Sequence, residues 1–322
     1  MFKKLNFKTL LILFGVLFVL VILMKVVQHS KGDRNFKATL FEVDTAKISS
    51  IIINPHGSKE EVKLLRTGRE WTLVKKNNRT YKTEKGAVEG MLNELSRIKA
   101  EFVAGMDKSD WAQYQVTDTA STHVQVEQAG KTVADFYVGK VSFQQYQQTS
   151  YIRVNNDDHV YAVDGMLPFT FSRNADDYRN KTMVQVNSPS DISKLEFNYP
   201  DSSYVMFKDN NNWIINNTKA DSTKAAEFIN SIAYLSGSEF VDDSELSGNQ
   251  VFSLKIEGKN FQPIELKAYQ ANAANQYVVT SSINSEGRFS GIKGDLVKHV
   301  FVGPDHFKAT PKKTDKNKGK KK

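Results

Sequence analysis

Gly130-Lys131-Thr132 is the nearest approach to a nucleotide-binding sequence in this chain, since it matches the last residues of a phosphate-binding loop. Gln125 stands where that loop's first glycine belongs, and the flanking alternation predicts a strand, a turn and a second strand, so Gly130-Lys131-Thr132 reads as a hairpin turn. The six histidines, at 29, 56, 123, 159, 299 and 306, make neither an HExxH nor an HxH pattern. His299, Asp305 and His306 come closest to a metal cluster, but they straddle a Gly-Pro turn at a spacing that specifies no coordination geometry. Asp157-Asp158, Asp176-Asp177 and Asp242-Asp243 are adjacent carboxylates, and neighbours in an extended chain point apart, so they read as turn and cap residues. There is no GxSxG elbow, and the zero cysteine count excludes a thiol nucleophile, a thiolate zinc site, an iron–sulfur cluster and a disulfide framework. Trp71 and Trp213 invite a sugar-stacking role, yet each opens a strand after a polar turn, which favours shared packing. Trp111, in Asp110-Trp-Ala-Gln-Tyr114, is expected to cover the edge of a sheet. No catalytic, cofactor-binding or metal-ligating residue is assigned, and no cofactor is expected.

Charge is concentrated at the two ends. The formal charge of +8 divides into +5 over residues 1–34, +7 over 308–322 and −4 over the remainder. A nucleic-acid-binding fold carries its basic surface on the folded domain, so no nucleic acid is expected. From Leu10 to Met24 every residue is apolar or Gly, and the stretch from Thr9 to Val27 makes roughly 28 Å of helix, close to bilayer thickness. The run exceeds the core of a cleaved signal peptide and lacks a small-x-small cleavage site, which predicts an uncleaved signal anchor with residues 35–322 outside the cytoplasm, in the periplasm of a diderm bacterium. Lys312 and the seven lysines around it form a tail without hydrophobic period, expected to be disordered and suited to contact with anionic lipid or cell-wall polymer.

Between the ends the chain repeats itself. Ile48–Ile53, Val62–Leu65 and Trp71–Val74 read as strands, and so do Ile192–Phe197, Val205–Phe207 and Trp213–Ile215. A helix follows in each half: Val88, Met91, Leu92, Leu95 and Ile98 fall at the same steps as Ala225, Phe228, Ile229, Ile232 and Leu235. Thr83 and Asp221 are the expected N-caps. Both helices run into Glu-Phe-Val, at 101–103 and 239–241, and both halves then return to strands, with Gly258-Lys259-Asn260 repeating the turn at Gly130. The expected fold is α+β: an N-terminal transmembrane helix followed by two repeated, mainly antiparallel sheet-plus-helix units. The boundaries read as 1–34 for the stub and anchor, 35–187 and 188–307 for the two units, and 308–322 for the tail.

Leu40-Phe41 leading to Asp44 and Ile48, the Trp71 strand, the helix ending in Glu101-Phe-Val103, and Trp111-Ala-Gln-Tyr114-Gln-Val116 together resemble the domain of unknown function 4340 family. That family shows a YGL-like step after the helix and an RD(K/R)-like step at the centre; Tyr114-Gln-Val116 and Arg179-Asn-Lys181 stand there, with Gln115 in place of Gly and Asn180 in place of Asp. The resemblance implies a membrane-anchored envelope protein in or beside the auxiliary part of a gliding-type ABC transport system. It carries over no catalytic residues. The expected function is a non-catalytic binding or scaffold component of an envelope complex, with an ABC transporter among its partners; the alternative is an envelope hydrolase acting on cell-wall material.

Overall fold

The computed structural model describes residues 14–17, 38–75, 78–144, 147–242, 250–271 and 276–309. Of the apolar run at the N-terminus only Phe14–Leu17 fall among these, and they are helical; the rest of the expected anchor, and the tail beyond Ala309, lie outside the described residues. Among the described residues no helix is long and apolar enough to cross a membrane. By its contacts the chain divides into two units, one of residues 1–77 and 86–174, the other of 78–85 and 175–322.

The first unit is built on a sheet whose strands are β1 (Ile48–Asn54), β2 (Val62–Thr67), β3 (Glu70–Val74), β5 (Ala100–Gly105), β6 (Thr122–Gln128), β7 (Lys131–Gln144), β8 (Gln147–Val154) and β9 (Val160–Asp164). They lie in the order β3-β2-β1-β6-β7-β8-β9-β5. They pair antiparallel, as the short connections between consecutive strands require. Alternation places Ile51, Ile53, Leu64, Val124, Val126 and Phe136 in the core, because successive side chains of a strand face opposite sides. Helix α1 (Lys85–Arg97) buries Val88, Met91 and Leu95, three of the five expected positions; Ile98 is buried just past its end. A one-and-a-half-turn helix, α2 (Leu167–Phe171), buries Leu167 and Phe171, and the Phe171 ring meets Phe136 edge-on at 5.9 Å.

The second unit repeats the plan. Its strands are β10 (Ile192–Asn198), β11 (Ser203–Asp209), β12 (Asn212–Ile215), β13 (Thr218–Lys219), β14 (Gln250–Gly258), β15 (Ile264–Gln270), β16 (Tyr277–Ser281) and β17 (Asn284–Ser290), ordered β13-β12-β11-β10-β14-β15-β16-β17. The short strand β4 (Thr80–Lys82) groups with this unit by its contacts. Helix α3 (Ser222–Ile232) buries Ala225, Phe228, Ile229 and Ile232, and the Asp221 carboxylate accepts from the amides of Thr223 and Lys224, as its N-cap position predicts. A short helix α4 (Leu296–Val300) buries Leu296 and Val300.

The duplication extends to an irregularity. In β1 the register with β6 slips by one residue between Ile48 and Ser50, and in β10 the register with β14 slips between Ile192 and Lys194. One extra residue, Ser49 or Ser193, bulges the same strand at the same place. Glu-Phe-Val also has one role in both: 101–103 lie in β5 against β9, and Phe240 bridges Phe289 on β17. Residues 175–187, read from the sequence as belonging with the first unit, group with the second because Met183, Val184 and Val186 enter its core.

Candidate functional site

In the first unit the chain must travel from β5, at one edge of the sheet, to β6, which lies beside β1 near the middle. It therefore crosses the outer face of β9, β8 and β7 along residues 106–121. This path explains why Trp111 covers Arg153 on the interior strand β8, where the sequence reading placed it over a sheet edge. The crossing turns at Lys108–Asp110, where Asp107 accepts from the Ser109 amide, and continues as a single helical turn at Trp111–Tyr114.

Beneath it, strand register lines up one row of side chains. His123 on β6 pairs with Tyr137 on β7, and Tyr137 pairs with Arg153 on β8. The His123 and Tyr137 rings stack at 4.3 Å and 12°; the Arg153 guanidinium lies 3.8 Å from the Tyr137 centroid and 4.0 Å from that of Trp111. Lys108 sits over the Trp111 ring at 5.6 Å. Arg153, almost fully buried, donates through Nε to the Val116 carbonyl at 3.0 Å and through Nη2 to Asp118, while Trp111 Nε1 donates to the Asp158 carbonyl at 2.8 Å. Cation–π contacts of this kind gain strength when water is excluded from the guanidinium. The corresponding register positions of the second unit are Ser253, Lys267 and Thr280. The same sheet therefore forms without the row.

One histidine–aspartate pair ends the row and a second lies in the turn after β8. His123 Nε2 lies 2.6 Å from Asp135 Oδ1, and Asp135 Oδ2 accepts from Gln125 at 3.1 Å and Asn155 at 2.9 Å. Partial burial pushes the Asp135 carboxyl up, but these three donors outweigh it and hold it below the ordinary carboxylate value. In the β8–β9 turn, His159 Nδ1 meets Asp157 Oδ1 at 2.7 Å and the Tyr161 hydroxyl donates to Asp157 Oδ2 at 2.6 Å. Burial again raises Asp157 and its donors overcome it, while burial and the carboxylate push the Tyr161 phenol well up. A histidine held by a carboxylate is the orienting half of a nucleophilic triad. Here Gln125 and Asn155 each give a hydrogen bond to the same carboxylate as His123.

A second buried arginine organises the other unit. Arg179, 2% exposed, lies between Tyr81 at 3.8 Å and Phe240 at 3.5 Å. It grips Asp242 with two hydrogen bonds, 2.6 and 3.0 Å, and Asp176 with one of 3.0 Å. Asn180 Oδ1 accepts from the Thr182 amide at 2.9 Å, a turn that an aspartate would close equally well. Both family-like steps thus hold chain segments in place: Arg179-Asn-Lys181 within the second unit, and Tyr114-Gln-Val116 on the first sheet, where the Tyr114 hydroxyl donates to the Ala104 carbonyl and Val116 is fully buried.

The remaining sequence candidates fall apart in space. Ala129 and Gly130, both with positive φ, form the tight turn between β6 and β7. His306 packs edge-on against Phe228 and Phe307, and no cluster of metal-ligating side chains occurs among the described residues. Asp157, unlike its exposed neighbour Asp158, turns inward to its histidine; Asp242 serves Arg179. Trp213 packs against the second core, as its place in the repeat suggests, and Trp71 is half-buried with Arg66 5.8 Å from its ring. Arg153 and Arg179 went unremarked in the sequence as buried groups, because an arginine reads as solvated until the rings that cover it arrive from segments distant in the chain.

A family model described as Domain of unknown function (DUF4340) matches residues 71–251, from β3 of the first unit into β14 of the second. No curated protein and no solved structure matches the chain.

Proposed function

The chain belongs to the DUF4340 family, and from that premise we propose that it is a single-pass membrane protein whose duplicated module works by binding, as a scaffold component of an envelope complex. The observation that carries this reading is how the reactive side chains are used. The two arginines, the two histidine–aspartate pairs and the tryptophan of the crossing segment are each engaged by partners within their own unit, and they lock loops onto sheets. Side chains committed in this way shape a surface rather than offer free reactive groups, which suits recognition of a partner more than bond breaking. The apolar run at Leu10–Met24 supplies the anchor, with the module on the periplasmic side of the inner membrane and an ABC-type transport system as the partner that the family resemblance implies.

Affinity copurification of the full chain from mild detergent tests the reading. Recovery of membrane-transport subunits in stoichiometric amount supports it, and recovery of the protein alone overturns it. The side of the membrane is tested by fusing alkaline phosphatase after Ala309: activity is expected, because that enzyme matures only outside the cytoplasm.

A further inference from the structure

The two short helices α2 and α4 occupy matching places, each following the last strand of its unit and burying residues at the same steps, Leu167 with Phe171 and Leu296 with Val300. Their outward positions differ in kind. At α4 the outward pair is Asp295, the N-cap, and Lys298, joined by an ion pair of 2.9 Å. In the first unit the same pair is Met166 and Phe169, 37% and 59% exposed. The fold therefore tolerates charge at these two positions, and the apolar pair answers to something outside it.

What that is follows from where the pair sits. Ala100 opens β5, pairs with Val163 on β9, and donates its amide to the Ala38 carbonyl at 2.8 Å. Ala38 is thus fixed beside the end of β9, and Met166 follows two residues after Asp164 closes that strand. From Gln28, just past the apolar run, to Lys37 there are ten residues, which reach at most about 35 Å. The corner carrying Met166 and Phe169 is the one tied by that short tether to the anchor. It carries charge of both signs: Arg173 donates through Nε to the Phe169 carbonyl at 2.9 Å, Glu94 lies beside Gly165, and Lys99 and Asp164 adjoin the Ala100–Val163 pair. Attraction there rests on apolar side chains, with the long side chains of Lys99 and Arg173 at the rim to meet phosphate headgroups.

We propose that Met166 and Phe169 form a membrane-surface contact, inserting into the headgroup region of the bilayer that holds the anchor, so that the first unit lies against lipid. The proposal rests on the anchored reading above. The chain has no cysteine, so one introduced thiol gives one spin label. Full-length Gly15→Cys, Lys99→Cys, Phe169→Cys and Lys298→Cys variants, labelled with a nitroxide and reconstituted into phosphatidylcholine–phosphatidylglycerol vesicles (3:1), are compared for relaxation by oxygen, which concentrates in lipid, and by a water-soluble nickel chelate. The expected result is loss of nickel access at 169 with oxygen access retained, intermediate values at 99, and full nickel access at 298. In Lys99→Cys, which leaves the apolar pair intact, adding Phe169→Glu is expected to restore nickel access.

Nickel access at 169 equal to that at 298, with the label at 15 in lipid, overturns the contact and leaves the anchor standing. A label at 15 open to nickel overturns the anchor and the contact with it. A label at 169 shielded from both reagents shows a protein partner on the patch and overturns the lipid assignment. Unchanged thermal unfolding of each variant confirms that the outward positions carry no folding role.

Discussion

Gln115 stands where the family step has glycine, and its backbone explains the preference: φ is +56° and ψ +36°, the left-handed region that costs an L-residue roughly 1–2 kcal/mol. Gln115→Gly relieves that cost and gives back part of it through the freer unfolded chain, so a net gain of about 0.5–1 kcal/mol is expected in urea unfolding. Asp135 allows a pH test. Its carboxyl is held below the ordinary value in the fold, so its contribution to stability is present above the unfolded pKa of about 4 and is lost as pH falls through the lower folded value. Asp135→Asn is therefore expected to lower the denaturation midpoint at pH 7, by a margin that shrinks as pH falls below the unfolded value of about 4; a constant difference across that range contradicts the assignment. Arg179→Met takes the guanidinium from Asp242, which is 14% exposed, and is expected to cost about 2–3 kcal/mol. Adding Asp242→Leu is expected to return part of that loss, because it removes a carboxylate that is largely withdrawn from water.

At the scale of elements, the crossing segment and β7 are fitted to each other. A Cβ on Gly139 would lie 2.2 Å from the Tyr114 carbonyl oxygen and 2.7 Å from Val116 Cγ1. Gly139→Ala must therefore push the crossing off the sheet, and a loss of about 2–3 kcal/mol is expected, with faster amide exchange over residues 106–121. If exchange rises evenly along the chain instead, the crossing is not a separately held element. Its existence was beyond the reach of the sequence for a specific reason. Strands and helices declare themselves by period, and β1, β10, α1 and α3 all stand where alternation or the 3.6-residue step predicted. The order of strands in the sheet has no period, so nothing in the sequence said that β5 lies beyond β9 and that the following residues must pass over three strands. His123, Tyr137 and Arg153 were legible one by one as residues on strands, but their alignment depends on register across two pairings.

For the molecule as a whole the anchored arrangement predicts a simple fractionation. The full chain is expected to stay with membranes through an alkaline carbonate wash, and a chain beginning at Asn35 to be stripped by it, since a surface contact of a few side chains does not survive that wash. The amino-acid sequence by itself determined the class: α+β, duplicated, antiparallel, with its positive charge at the ends and an apolar run long enough to span a bilayer. It could do so because periodicity, turn residues and charge counts are local properties that every copy of the repeat restates. Tertiary structure alone decided which copy differs from the other and where. The bulge, the helices and the cores are shared, whereas the stacked row around Arg153 and the exposed Met166–Phe169 pair belong to the first unit only. Those differences become visible when strand register brings residues of matching position onto the same surface, because a substitution has meaning only beside the neighbours it faces.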